Sequence, residues 1–287
     1  MATLREVKNR IGSVKNIRQV TRAMKMVAAA KLQKAQQAIE QARPYAFKIN
    51  NVLRQLLPQI DRSINPLLEV REQKHIGLVI VTADRGLCGA FNSRIIRQAE
   101  QEIEKYDPEQ IKLICIGKKG LNYFRKRDYD IIGEYTEFFK DLTFSNATSI
   151  VDVVTELYIS HGLDRVDVLY NEFKNVIQQG VVVEQFLPLV VQDEDEIEDL
   201  DEFMFEPNQE DIVNSLVPQH LNVQMWRMLL ESNAAERGAR RTAMDNATSN
   251  AEDMIEDLQR QYNKARQAAI TKEISEIVGG AEAMKED

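Results

Sequence analysis

The turn DRGLCGAFN, Asp84–Asn92, is the stretch of this chain whose residue types come closest to a ligand loop. It follows the apolar run His75–Thr82 (HIGLVIVT) and leads into a helical pattern. That is the context in which a glycine-rich loop turns its backbone N–H groups toward a phosphate. The spacing is incomplete, however. Gly86 and Gly89 do not make G-x-G-x-x-G, no Gly-Lys-Ser/Thr follows, and GKKG at Gly117–Gly120 lacks the Walker spacing. These glycines fit a tight turn better than a phosphate cradle. The only cysteines, Cys88 and Cys115, have no neighbouring His or Cys that would make a metal site, and they fit a reducing compartment. His75, His161 and His220 are scattered and read as structural. No nucleophile–His–acid set can be assembled, so the expectation is a chain with no catalytic, cofactor-binding or metal-ligating residues.

Strand and helix patterns alternate around that turn. After His75–Thr82 comes a helical stretch from about Asn92 to Tyr106, then a strand at Ile111–Gly117 and a short helix to about Arg127. Asp130–Tyr135 reads as a third strand and Ala147–His161 as a helix. Val166–Phe173 and Val181–Val191 read as two further strands, close enough in sequence for a hairpin. The alternation predicts an α/β, Rossmann-like middle domain with helices on both faces of its sheet.

The two ends carry a different pattern. Met244, Thr248, Ala251, Ile255, Leu258, Tyr262, Ala265 and Ala269 alternate steps of four and three, the spacing of a seam between two helices. Upstream, Leu221, Met225, Met228, Ser232, Ala235, Ala239 and Thr242 form a similar stripe in another register. At the other end Leu4, Val7, Ile11, Val14, Ile17, Val20, Met24, Ala28, Leu32, Ala35 and Ile39 form one drifting face. Strict heptads would put Arg18, Thr21 and Lys25 in the seam, but the apolar residues there run one position ahead. Pro44 predicts a kink or an end, with the helix resuming at Phe47–Leu57. No proline follows Pro218, so a long unbroken helix is expected after it. Two helices at opposite chain ends can pair only antiparallel. The fold class is therefore α/β plus a long antiparallel coiled coil, the alternative being an ordinary helical bundle on a globular domain. The boundaries are residues 1–58 for the first coiled-coil helix, 70–192 for the middle domain, 193–210 for an acidic linker and foot, and 211–287 for the second helix.

Net charge is −8, unevenly spread. Residues 193–202 (DEDEIEDLDE) hold eight carboxylates, whereas residues 1–34 hold nine cations against Glu6 alone. A basic helix suits nucleic acid or acidic lipid. The absence of aromatic residues on this face and the acidity of the whole chain argue against nucleic acid. No apolar run approaches the length of a membrane span.

ITKEISEIVGGA at Ile270–Ala281 stands just after YNKARQA. With TRAMKMVAAAKL at Thr21–Leu32, RPYA at Arg43–Ala46 and DRGLCG at Asp84–Gly89, the chain closely resembles the gamma subunit of F-type ATP synthase along its whole length. The resemblance implies a central-stalk rotor, with partners in a hexamer of alpha and beta subunits, an epsilon subunit and a membrane ring of c subunits. It places Met24, Lys25, Arg240, Gln267, Thr271, Glu273, Ile274 and Ile277 at the rotor–stator interface. It places Arg43, Tyr45, Phe203, Phe205 and Glu206 at the foot near the c ring and epsilon. Some relatives carry tyrosines where Phe203 and Phe205 stand, so hydroxyl-dependent contacts are not implied. The inserted cysteine pair of the family's redox-regulated chloroplast branch has no counterpart here, so thiol switching is not implied. The implied location is peripheral, on the cytoplasmic face of a bacterial inner membrane; no transit peptide precedes ATLREVKNRI, which points to a bacterial origin, although a mature organellar chain would look similar. If the end helices meet near Tyr45 and Leu221, Leu4 falls opposite Tyr262. The tip beyond it then carries Ile270, Ile274, Ile277 and Val278 without a partner helix, and an exposed apolar stripe marks an interface. The rival reading is a nucleotide-binding α/β enzyme with a coiled-coil arm; a static scaffold leaves the C-terminal motif without a reason.

Overall fold

The computed structural model describes residues 3–175, 179–190 and 208–283, with side chains described as far as residue 278 at the C-terminal end. It divides into two compact units, residues 28–240 and residues 1–27 with 241–287. Helices α1 (Leu4–Leu56) and α5 (Gln209–Ala283) contribute to both. The elements between them lie in the larger unit. They are β1 (Ile76–Val81), α2 (Phe91–Ile103), β2 (Ile111–Ile116), α3 (Lys118–Phe124), β3 (Ile131–Tyr135), α4 (Phe144–Ile159), β4 (Arg165–Phe173) and β5 (Gln179–Leu187).

Strand order is β3-β2-β1-β4-β5, parallel except for the β4–β5 hairpin. Steps from β1 to β2 to β3 go one way, and the next connection returns to the far side of β1. Such a sheet is wound in both directions, with its switch point between β1 and β4. The side chains follow from this. Ile76, Leu78 and Ile80 of β1 point into a core with Ile95 and Ala99 of α2 and Phe124 of α3. Val79 and Val81 point the other way, into a core with Ile150 and Val154 of α4 and with α1 and α5. All six residues of β1 are buried, as expected of a strand covered on both faces.

Neither long helix breaks at its proline. α1 runs 53 residues through Pro44, and α5 runs 75 residues through Pro218. A proline inside a helix loses one backbone hydrogen bond and costs about 3 kcal/mol. Flanking burial offsets that loss. Ile39, Ala46, Ile49 and Leu53 are buried around Pro44, and Val213, Val217 and Leu221 around Pro218. Thus α1 does not end at Pro44.

In the smaller unit Val7, Val14, Ala251, Ile255 and Leu258 form a buried cluster with Ile11 and Tyr262 against it. The drifting face expected over residues 17–20 is corrected here. Ile17 is 55% and Val20 58% exposed, while Arg18, Thr21, Met24 and Lys25 are half-buried. Strict heptads prevail, because moving the stripe one residue ahead and back would rotate the helix by about 100° and return it within two turns. The polar seam residues find partners. Thr248 Oγ1 donates to Thr21 Oγ1 at 2.9 Å, and Lys25 Nζ lies 2.5 Å from Asp245 Oδ1. Thr242 is likewise exposed rather than in the seam, with Ala243 half-buried in its place. Continuing the 21–248 pairing puts Leu4 opposite Ala265, one turn beyond the expected Tyr262.

Thr21→Cys with Thr248→Cys should form a disulfide in high yield under mild oxidation, read on a non-reducing gel. Val20→Cys with Thr248→Cys should not; efficient crosslinking of that second pair would restore the drifting stripe.

Candidate functional site

The helix pair meets the sheet at the carboxyl ends of the two strands that flank the switch point. Leu32, Ala35 and Ile39 of α1 and Leu230, Ala234 and Ala235 of α5 pack on Ala83, Cys88 and Phe91, which follow β1, and on Phe173, which ends β4. Ligands of doubly wound sheets bind in this crevice. In this chain its own two helices fill it. The approach is close: a Cβ at Gly238 of α5 would stand 2.7 Å from Gln179 Nε2 and 3.5 Å from the Phe173 ring.

The turn after β1 is occupied in a similar way. Asp84 Oδ1 accepts from the backbone N–H of Lys118 at 3.1 Å and of Glu137 at 3.0 Å. Asp84 thus ties the turn after β1 to the start of α3 and to the segment after β3. Gly117 is held at φ +92°, and a Cβ there would stand 2.1 Å from the Thr82 carbonyl oxygen, so this glycine serves close approach. Asn92 donates to the Cys88 sulfur at 3.2 Å, and burial raises the thiol's pKa. Cys115, between β1 and β3, is pushed by burial to about 12. Both cysteines are free and buried.

Charged groups anchor α5 within the larger unit. Arg240 Nη1 donates to the Gly86 carbonyl at 2.6 Å, and its guanidinium pairs with Glu236 one turn earlier. Arg237 donates to the Phe139 carbonyl at 2.8 Å. Arg227 forks onto both oxygens of Glu184 at 2.8 Å, and the Tyr170 hydroxyl donates to the same carboxylate at 2.9 Å. Burial raises the Glu231 pKa, against the pull of Arg227. His220 is buried, and its desolvation, reinforced by the Arg227 charge, lowers its pKa to about 4. It is therefore neutral and structural at pH 7.

The expected site residues are distributed as follows. In the smaller unit Lys25 pairs with Asp245, and Met24 is half-buried beside it in sequence. Gln267, Thr271 and Glu273 are exposed, and the Thr271 hydroxyl donates to the Gln267 carbonyl at 3.0 Å. Ile270, Ile274, Ile277 and Val278 are 46–71% exposed on one side of α5. In the larger unit Arg240 is almost fully buried, while Arg43 and Tyr45 are exposed. Arg43 lines a cavity of about 540 Å³ with Glu184, Arg227 and Glu231. Phe203, Phe205 and Glu206 lie outside the described residues. Sequence reasoning missed Glu236, whose i,i+4 spacing to Arg240 was visible, and it missed Glu184, whose partner is 43 residues away.

A sequence model described as "ATP synthase" matches residues 3–284. The ATP synthase gamma chain of Chloroherpeton thalassium is 48% identical over 302 aligned residues, spanning 100% of this chain and 99% of the relative. The chain belongs to the ATP synthase gamma-chain family. The gamma chain of Chlorobaculum tepidum is 47% identical over the full length of both proteins. Among solved structures, a central-stalk chain of the Tetrahymena thermophila mitochondrial ATP synthase superposes with a TM-score of 0.64 at 27% identity, over 79% of this chain and 99% of that one. A chain of the Euglena gracilis mitochondrial enzyme gives 0.71 at 20% identity, over 98% and 94%, a likeness of fold.

In this gamma-chain fold Arg240 has a structural duty. Its removal leaves Glu236, 5% exposed, with one cation fewer. Arg240→Ala should destabilise the isolated chain by about 2 kcal/mol in urea unfolding, because Glu236 keeps Arg237 but loses a charge-assisted hydrogen bond, and the Gly86 carbonyl loses its donor. A loss below about 0.5 kcal/mol, the range of ordinary surface changes, would assign Arg240 to partners instead.

Proposed function

We propose that this chain is the central-stalk rotor subunit of a proton-translocating F-type ATP synthase, turning with the c ring and driving conformational change at catalytic sites in an alpha/beta hexamer. One observation carries the mechanical part. With Leu4 opposite Ala265, α5 continues past its partner helix to Ala283, and its stripe of Ile270, Ile274, Ile277 and Val278 faces solvent. At 1.5 Å per residue that is roughly 27 Å of helix. An apolar stripe of this kind marks an interface, and an apolar sleeve suits an axle because apolar contacts have no preferred angle.

Angle would be read by charge. Lys25 and the other cations of α1 face acidic segments of beta subunits in turn, with Met24 beside them. Gln267, Thr271, Glu273, Ile274 and Ile277 line the bearing, and Arg240 belongs to the same rotor–stator set. Arg43, Tyr45, Phe203, Phe205 and Glu206 form the foot against the c ring and epsilon. The working division remains residues 1–58 and 211–287 for the coil, 70–192 for the middle domain and 193–210 for the foot. This is coupling of distant sites through a rigid moving element.

Catalysis belongs to the hexamer in this reading, and the chain needs no cofactor. The crevice filled by α1 and α5 supports that view. Among the described residues no helix is long and apolar enough to cross a membrane, which fits a peripheral place on the cytoplasmic face of a bacterial membrane.

Ile274→Asp with Ile277→Asp should leave the isolated chain's stability unchanged within about 0.5 kcal/mol, since both side chains are exposed. The same pair should weaken assembly with alpha and beta subunits and uncouple hydrolysis from proton pumping. Normal assembly and coupling in that variant, or ATP hydrolysis by the purified chain alone, would sink the reading.

A further inference from the structure

A second cavity of about 310 Å³ opens in the larger unit beside the filled crevice. Five elements bring cations to it: Lys31 from α1, Arg85 from the turn after β1, Lys118 from the start of α3, Lys140 from the turn after β3, and Arg237 and Arg240 from α5. Three carboxylates also line it, Asp84, Glu137 and Glu236. Each carboxylate is already engaged. Asp84 accepts the two backbone N–H groups described above. Glu137 is clamped between Lys118 Nζ at 2.7 Å and Lys140 Nζ at 2.5 Å, and these hydrogen bonds hold its carboxyl down at about 2. Glu236 lies between Arg237, at 3.1 Å, and Arg240. Lys31 and Arg85 have no hydrogen bond or ion pair from their side chains among the described residues. In a chain of net charge −8 the cavity wall carries three more cations than carboxylates.

We propose that this cavity binds a small inorganic oxyanion of the phosphate or pyrophosphate type, with Lys31 and Arg85 as its principal ligands. Such an anion offers several acceptor oxygens to donors converging from different directions, and charge-assisted hydrogen bonds of this kind are the strong ones. A concave wall with local positive excess concentrates anions even on an acidic protein. An acidic protein segment is the other anion that could approach. A small oxyanion fits better, because two free cations in a cavity of this size match one compact multivalent anion. Lys31 and Arg240 serve both readings, but anion binding by the isolated chain and coupling within the hexamer are measured separately, so failure of the one leaves the other standing.

The test is isothermal titration of the full-length chain with pyrophosphate and with inorganic phosphate at physiological ionic strength. Pyrophosphate should bind measurably, and more tightly than phosphate. Lys31→Ala with Arg85→Ala should lower its affinity about tenfold or more, the worth of at least one hydrogen bond to a charged group. The fold should survive, because neither side chain has a partner to lose; a thermal melt checks this. Lys126→Ala, an exposed lysine outside the cavity, removes one charge and should change nothing. Absence of pyrophosphate binding, full affinity in a folded double variant, or equal loss in Lys126→Ala would each overturn the site. So would binding of a glutamate-rich peptide where pyrophosphate does not bind, which would make the cavity a protein-docking face.

Discussion

Where α1 and α5 lie across the carboxyl ends of β1 and β4, small side chains set the separation. Ala35, Ala234 and Ala235 are buried there, and Gly238 leaves room for Phe173 and Gln179. Side chains bulkier than these would lift the helices off the sheet, since packed interiors have no spare volume. Much of the rest depends on this contact. It gives two very long helices a fixed seat on a compact body, and it fills the crevice that a doubly wound sheet otherwise offers to a nucleotide. One packing decision thus favours a mechanical part over an enzyme.

Polar groups sharpen the seat. Apolar packing holds the helices down but tolerates sliding and rotation. Arg240 on the Gly86 carbonyl, Arg237 on the Phe139 carbonyl and Arg227 on Glu184 and Tyr170 are directional, and each ties α5 to a different part of the α/β body. In the smaller unit the Thr21–Thr248 and Lys25–Asp245 contacts replace apolar seam residues. That choice turns Ile17 and Val20 outward, where they join the exposed apolar surface available to partners.

Much of this was legible in the sequence, for identifiable reasons. Strands such as Ile76–Val81 and Ile111–Ile116 are continuous apolar runs between turn residues, and the hairpin β4–β5 followed from a short connection. The seam from Met244 to Leu258 was legible because apolar residues and heptad phase agree there. They disagree at residues 17–25, and there the apolar residues misled, because the phase is set by the neighbouring turns of the same helix. Pro44 misled as a helix end because its cost is local and its compensation is tertiary. The duty of Arg240 was half-legible. Glu236 is one turn away, but Gly86 is brought to it only by the fold.

Whether this chain turns inside a hexamer is decided by watching rotation in a complex of this chain with alpha and beta subunits fixed to a surface. A probe on Lys126→Cys would report it, since Lys126 is exposed while Cys88 and Cys115 are buried and spared from labelling. A rotor should step in one direction whenever ATP is hydrolysed; sustained hydrolysis with a stationary probe would rule a rotor out.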